Sequence, residues 1–200
     1  MNRPASDSSS FLASGPLVLA GLIVLAALSR MLPHPPNFSP VEAVALFGGA
    51  YFASRRWAML VPLLAMLASD VVLGLVKGAT YVQYLTSSAY LPSLVAVYAC
   101  VALGTVLGFG LRGRVTGARV LGYSLAGSVL FFIVSNLATW LTAFTVPGYP
   151  ACTAGLAACY VAAVPFFKWT VLGTLFYSAL LFGGFALLRQ RLPALRAQTV

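Results

Sequence analysis

Ser39-Pro40-Val41-Glu42-Ala43-Val44-Ala45-Leu46-Phe47-Gly48-Gly49-Ala50-Tyr51-Phe52-Ala53-Ser54-Arg55-Arg56 is the stretch on which the reading of this chain turns. Serine, proline at the first helical position and Glu42 three residues after Ser39 make a capping box, so a helix is expected to begin there. Apolar and small residues carry it to Ala53, and Arg55-Arg56 stops it. At ~1.5 Å per residue such a helix is about 21 Å long, short for a hydrocarbon layer of about 30 Å. It must thin the bilayer, lean on its neighbours or be re-entrant.

A bilayer is invoked because the rest of the chain demands one. Of 200 residues 60% are hydrophobic and 8% charged, against roughly 25% charged in soluble domains. Strict alternation is absent, which favours helices over a barrel. Six transmembrane helices are expected, an all-α polytopic bundle: Pro16–Leu28, the short helix ending at Ala53, Trp57–Val76, Tyr90–Leu111, Ala118–Phe144 and Pro165–Leu188. A further short helix over Thr153–Ala163 fits between the last two. The bundle occupies 14–190, with a Ser-rich disordered tail at 1–13 and a second tail at 191–200. Pro16–Leu28 has the length of a signal-peptide core, but the run continues through Met31 and Leu32 and lacks an A-x-A site.

The formal charge of +9 lies at span edges and not in a basic stripe, so it reports topology and not nucleic-acid binding. If all six helices cross, Arg3, Arg55, Arg56, Arg112, Arg114, Arg119, Arg189, Arg191 and Arg196 share one side and Arg30, Lys77 and Lys168 the other. The positive-inside rule then places both termini in the cytoplasm. No phosphate loop, HExxH or GxSxG elbow is present, and no enzyme activity, cofactor or metal is expected. Cys100, Cys152 and Cys159 lack a CxxC spacing and read as small buried hydrophobes.

With that topology the polar residues collect on the outer side. Asp70, inside the third helix, needs a partner or a wet cavity, and Lys77 and Arg30 are within reach as partners. Lys168 falls in the first turn of the sixth helix, where the dipole disfavours a cation unless an anion joins it; a snorkelling lysine is the alternative. Asn136 either glues helices or lines a cavity, and Trp140, one turn on, is a belt aromatic or a stacking wall. His34, in Pro33-His34-Pro35-Pro36, cannot build a metal site alone. Tyr81 and Tyr84 make the third outer loop aromatic. These seven, Asp70, Asn136, Lys168, Trp140, His34, Tyr81 and Tyr84, are the expected solute-binding residues. Ala45, Gly49 and Ala53 recur every fourth residue and Gly104 and Gly108 form a GxxxG pair, smooth stripes for contact within the chain or for docking a partner.

Leu32–Gly74, with its LPHPPNFSP loop, VEAVALFGGAYF helix, SRR turn and SDVVLG ending, resembles the substrate-binding S components of energy-coupling-factor vitamin transporters. With Asn136-Leu137-Ala138-Thr139-Trp140, Tyr149-Pro150 and Gly155–Phe167 (GLAACYVAAVPFF), it also resembles a family of uncharacterised bacterial membrane proteins. The resemblance implies a six-helix fold with an outward pocket capped by the first, third and fifth loops, holding a vitamin or precursor, cobalamin-type solutes included. It also implies a coupling transmembrane protein with an ATPase module, docked through Ala-x-x-x-Ala in the first helix. Here that helix reads PLVLAGLIVLAALS and has no such pair. Small-solute uptake is thus the leading expectation. A structural or assembly subunit, and a proton-coupled secondary transporter using Asp70, are the alternatives.

Overall fold

Val41–Tyr51, the helix α2, is enclosed on every side: each of its 11 residues is buried. At ~1.5 Å per residue it is about 16 Å long, and it leans on its neighbours. A helix apolar all round belongs in an interior, and here the interior is made by other helices of the same chain. In this computed structural model, which describes residues 14–87, 90–144, 150–192 and 195, the order is α1 (Ser14–Leu28), α2, α3 (Arg55–Lys77), α4 (Ala79–Thr86), α5 (Leu91–Gly108), α6 (Gly117–Thr142), α7 (Pro150–Thr153), α8 (Leu156–Ser178) and α9 (Gly184–Arg191). Helices α1, α3, α5, α6 and α8 surround α2. The expected tail at 1–13, most of that at 191–200, Tyr149 and the side chain of Tyr84 lie outside the described residues.

Arg55–Lys77, Leu91–Leu111, Gly117–Thr142 and Leu156–Arg191 are long and apolar enough to cross a membrane; Gly15–Met31 and Val41–Tyr51 are shorter apolar helices. Many large apolar side chains face outward along them, among them Leu64, Val71, Val95, Leu141, Val161 and Leu180. Such a surface suits lipid and not water. The chain is a helical membrane protein.

Small residues set the approach of α2 to its neighbours. A Cβ on Gly108 of α5 would fall 2.5 Å from the Leu46 carbonyl oxygen, and one on Gly104 would fall 3.0 Å from Ala45 Cβ. Gly49 in turn abuts Thr105 and Gly108, with a Cβ there only 3.0 Å from Gly108 Cα. The two stripes therefore meet each other inside the chain. Ala53 takes no part, since α2 has ended before it and its side chain is exposed.

Three expectations need correction. The capping box does not form: Pro40 is the N-cap without a side-chain bond, Ser39 Oγ accepts from the Val41 N–H at 3.2 Å, and Glu42 turns inward. Nor does the last span start at Pro165. Helix α8 starts at Leu156 with Pro165 inside it, takes in the separate helix expected over Thr153–Ala163, and runs through a π-helical segment at Ala179–Gly183 into α9. Neighbouring helices can support a proline inside a membrane helix. Finally, Cys152 and Cys159 form a disulfide, while Cys100 is free and buried. Gly155, at φ +140°, turns the chain between α7 and α8 and brings the two cysteines together.

Candidate functional site

Helices α2, α5 and α8 begin at the end of the bundle where α1, α3 and α6 finish, and two adjoining cavities open there. The opposite end carries Arg55, Arg112, Arg119 and Arg189, each stacked on an aromatic ring of the bundle.

The larger cavity, ≈ 560 Å³, lies among α5, α6, α7 and α8. Val97 and Ser93 come from α5; Phe131, Phe132, Ser135, Asn136 and Thr139 from α6; Ala163, Phe166, Phe167 and Thr170 from α8; and the disulfide sulfurs' residues close one wall. Phe132 lies against Phe167 with ring centroids 4.8 Å apart and against Tyr160 at 5.6 Å. The polar groups are held by their own helix: Ser135 Oγ donates to the Phe131 carbonyl at 2.7 Å, Asn136 Nδ2 to that of Phe132 at 2.8 Å and Thr139 Oγ1 to that of Ser135 at 2.9 Å. Asn136 thus lines the cavity, and its amide nitrogen is spent within α6 and not on a neighbouring helix. An aromatic wall with a few fixed polar groups is the usual make-up of a small-molecule site.

The smaller cavity, ≈ 240 Å³, is walled by Arg30, His34, Asn37, Glu42, Lys77 and Tyr81, with Val97 and Phe131 between it and the larger one. His34 is exposed, one ring nitrogen 2.9 Å from the Pro35 carbonyl oxygen. Lys77 Nζ stands 5.2 Å from the centre of the Tyr81 ring. Burial pushes the Tyr81 phenol above its ordinary range, opposed by the charge of Arg30.

Asp70 stands behind Arg30. Arg30 Nη1 donates to Asp70 Oδ1 at 2.6 Å and to Ser69 Oγ at 3.0 Å, and the Tyr98 hydroxyl donates to Asp70 Oδ2 at 2.8 Å. Both carboxylate oxygens are engaged, so of the two partners open in the sequence Arg30 is the one taken. Asp70 shapes the site through Arg30 and lies on neither cavity wall.

Two expected site residues stand apart. Lys168 is the thirteenth residue of the 23-residue α8 and not in a first turn; it is exposed, 5.3 Å from the Trp169 ring centre, and lines neither cavity. Trp140 is half-buried against Ala143, Cys152 and Cys159, behind the cavity wall. Tyr98 and Glu42 were not expected here. For Glu42 a signal existed: a helix apolar on every face leaves no solvent side for a carboxyl. Among the described residues no three of His, Cys, Asp and Glu gather as metal ligands would.

Fold and cavities together define a helical membrane protein with a polar-and-aromatic double cavity at one end. The chain belongs to a family of unknown function, DUF6580, whose profile matches residues 12–195. No curated protein and no solved structure matches it, so the likeness to S components rests on the sequence pattern alone.

Proposed function

We propose that this protein binds a small nutrient, a vitamin or vitamin precursor, in the double cavity and carries it into the cell without catalysing a reaction on it. The ≈ 560 Å³ cavity supports this reading, since its size and its mix of rings, amide and hydroxyls match what such solutes require. All six apolar helices cross the membrane in this proposal, and the cavities face outward with both chain termini in the cytoplasm. Two independent observations favour that orientation. Arg55, Arg112, Arg119 and Arg189 gather at the opposite end, and the Cys152–Cys159 disulfide lies at the cavity end, where an oxidising compartment would preserve it.

The other readings lose the residues they relied on. The Gly and Ala stripes that a docking subunit would present are used inside the bundle, and the Asp70 carboxylate that a proton carrier would use is held by Arg30 and Tyr98. The S-component likeness implies an energising ATPase module as partner, whereas the first helix lacks the Ala-x-x-x-Ala pair for docking it; copurification with the tagged full chain decides between the two.

Thermal-shift screening of the purified chain against water-soluble vitamins and their precursors tests the binding. At least one should raise the Tm saturably, and Ala163→Trp, which fills the larger cavity, should remove the response. Silence across the whole set would sink the proposal.

A further inference from the structure

Asp7, Glu42 and Asp70 are the 3 acidic residues of the chain, and the two inside the bundle are treated in opposite ways. Asp70 has an arginine and a tyrosine on its two oxygens. Glu42, in the first turn of α2, is 5% exposed. Its stem passes the gap left by Gly127 of α6, where a Cβ would lie 3.7 Å from Glu42 Cβ. Its Oε2 accepts a long bond, 3.5 Å, from Thr174 Oγ1 of α8, and its Oε1 is buried with no protein partner. Yet Glu42 is on the wall of the smaller cavity.

Buried carboxyls are ordinarily paired or fully hydrogen-bonded, because stripping one of water without replacement is unfavourable. The bundle has a cation near enough to line the same cavity, Arg30, and commits it to Asp70. The other cation on the wall, Lys77, is exposed, with its ammonium over the Tyr81 ring. What is left is a buried carboxyl with one oxygen unpartnered and no cation committed to it, on a residue that lines the cavity. Next door, past Val97 and Phe131, lies the aromatic space of Phe132, Phe166 and Phe167.

We infer that Glu42 is the recognition group for a solute bearing a cationic nitrogen, an ammonium or protonated ring nitrogen, held in the smaller cavity while its ring or apolar body occupies the larger one. This rests on the solute-binding reading above and names the class of solute. The nitrogen supplies both the donor that Oε1 lacks and the charge that a buried carboxylate needs. A hydroxyl would supply only the donor. The Phe131 ring on the same wall adds the attraction of a π face for a cation, the Tyr81 ring being taken by Lys77, and Thr174 holds the other carboxylate oxygen.

The test uses the purified full chain and a matched pair of probes, tryptamine and tryptophol, which share the indole and differ in ammonium against hydroxyl. Tryptamine should raise the Tm saturably. Tryptophol should do so about tenfold more weakly or not at all, and Glu42→Gln should weaken tryptamine by at least about tenfold, as expected for a charge-assisted bond. Mapping of dicyclohexylcarbodiimide adducts on the unmutated protein keeps the test independent of how the variant folds. This reagent should mark Glu42, and tryptamine but not tryptophol should block it. Equal response to the two probes, a twofold or smaller effect of Glu42→Gln, or labelling that tryptamine does not block overturns the inference. If vitamins bind while any of these occurs, solute binding stands and only the role of Glu42 falls; if no vitamin and neither probe binds, both fall.

Discussion

The two ends of the bundle are built on opposite plans. At the basic end backbones touch: Gly48 faces Ala58, Gly49 faces Thr105, and Gly108 faces Leu46. Phe47, Tyr51, Phe182 and Phe185 interlock edge to face, with Phe47–Phe182 centroids at 5.3 Å and Tyr51–Phe185 at 4.7 Å. Arg112 closes α2 by donating to the carbonyls of Gly49 at 2.9 Å and Phe52 at 2.7 Å, which satisfies two of the acceptors a helix C-terminus leaves open. At the cavity end phenylalanines of α6 and α8 line the larger cavity, and polar side chains stand on the walls. One end supplies close packing, the other keeps space open.

Gly108→Val should do the most damage. The added side chain would enter the Leu46 backbone, an overpacking cost of about 3 kcal/mol or more, and size-exclusion chromatography should show loss of the monodisperse protein. The matching change at the open end, Ala163→Trp, should leave the protein folded. Next in size is Asp70→Asn, which leaves Arg30 without its counter-charge at a site where the two side chains are 19% and 10% exposed. Destabilisation of about 3 kcal/mol is expected, and Arg30→Met combined with Asp70→Leu should recover much of it in thermal unfolding. Cys159→Ser removes a crosslink spanning 7 residues of sequence; the chain-entropy argument gives about 2 kcal/mol, and non-reducing mass analysis should show free Cys152 in the variant only. Lys168→Ala, at an exposed site touching neither cavity, should change stability within about 0.5 kcal/mol and solute binding by less than a factor of two. A larger loss of binding there would mean that the cavity is not the site.

Much of this division is visible in the sequence, and its gaps have physical causes. Helix placement follows from apolar length, so α1, α2, α3, α5 and α6 were readable within a few residues, whereas α4 fell in what read as a loop. Gly104-x-x-x-Gly108 and Ala45-x-x-x-Gly49 announced close packing but not the partner, because a smooth stripe is the same whether it meets its own chain or another. Proline misplaced the start of α8: Pro165 looks like a first-turn residue, and only the packed neighbours reveal that the helix passes through it. That single displacement moved Lys168 from a helix start to a helix middle and removed the reason for expecting an anion beside it. Glu42 failed for a different reason. Ser-Pro-Val-Glu satisfies the spacing of a capping box, and spacing cannot tell whether the carboxyl bends back to the backbone or inward to a cavity. Asp70 was legible as a buried charge in need of a partner, but Tyr98 was not, since nothing local marks a tyrosine 28 positions away.

The enclosure of α2 also bears on how the chain is made. Eleven residues are too few to enter lipid alone, where about 20 are needed, and one of them is a glutamate. Its walls include α8, synthesised more than a hundred residues later. The enclosure of α2 is therefore complete only once α8 has been made. Nascent chains truncated before Leu156 should leave α2 open to protease, and full-length chains should not.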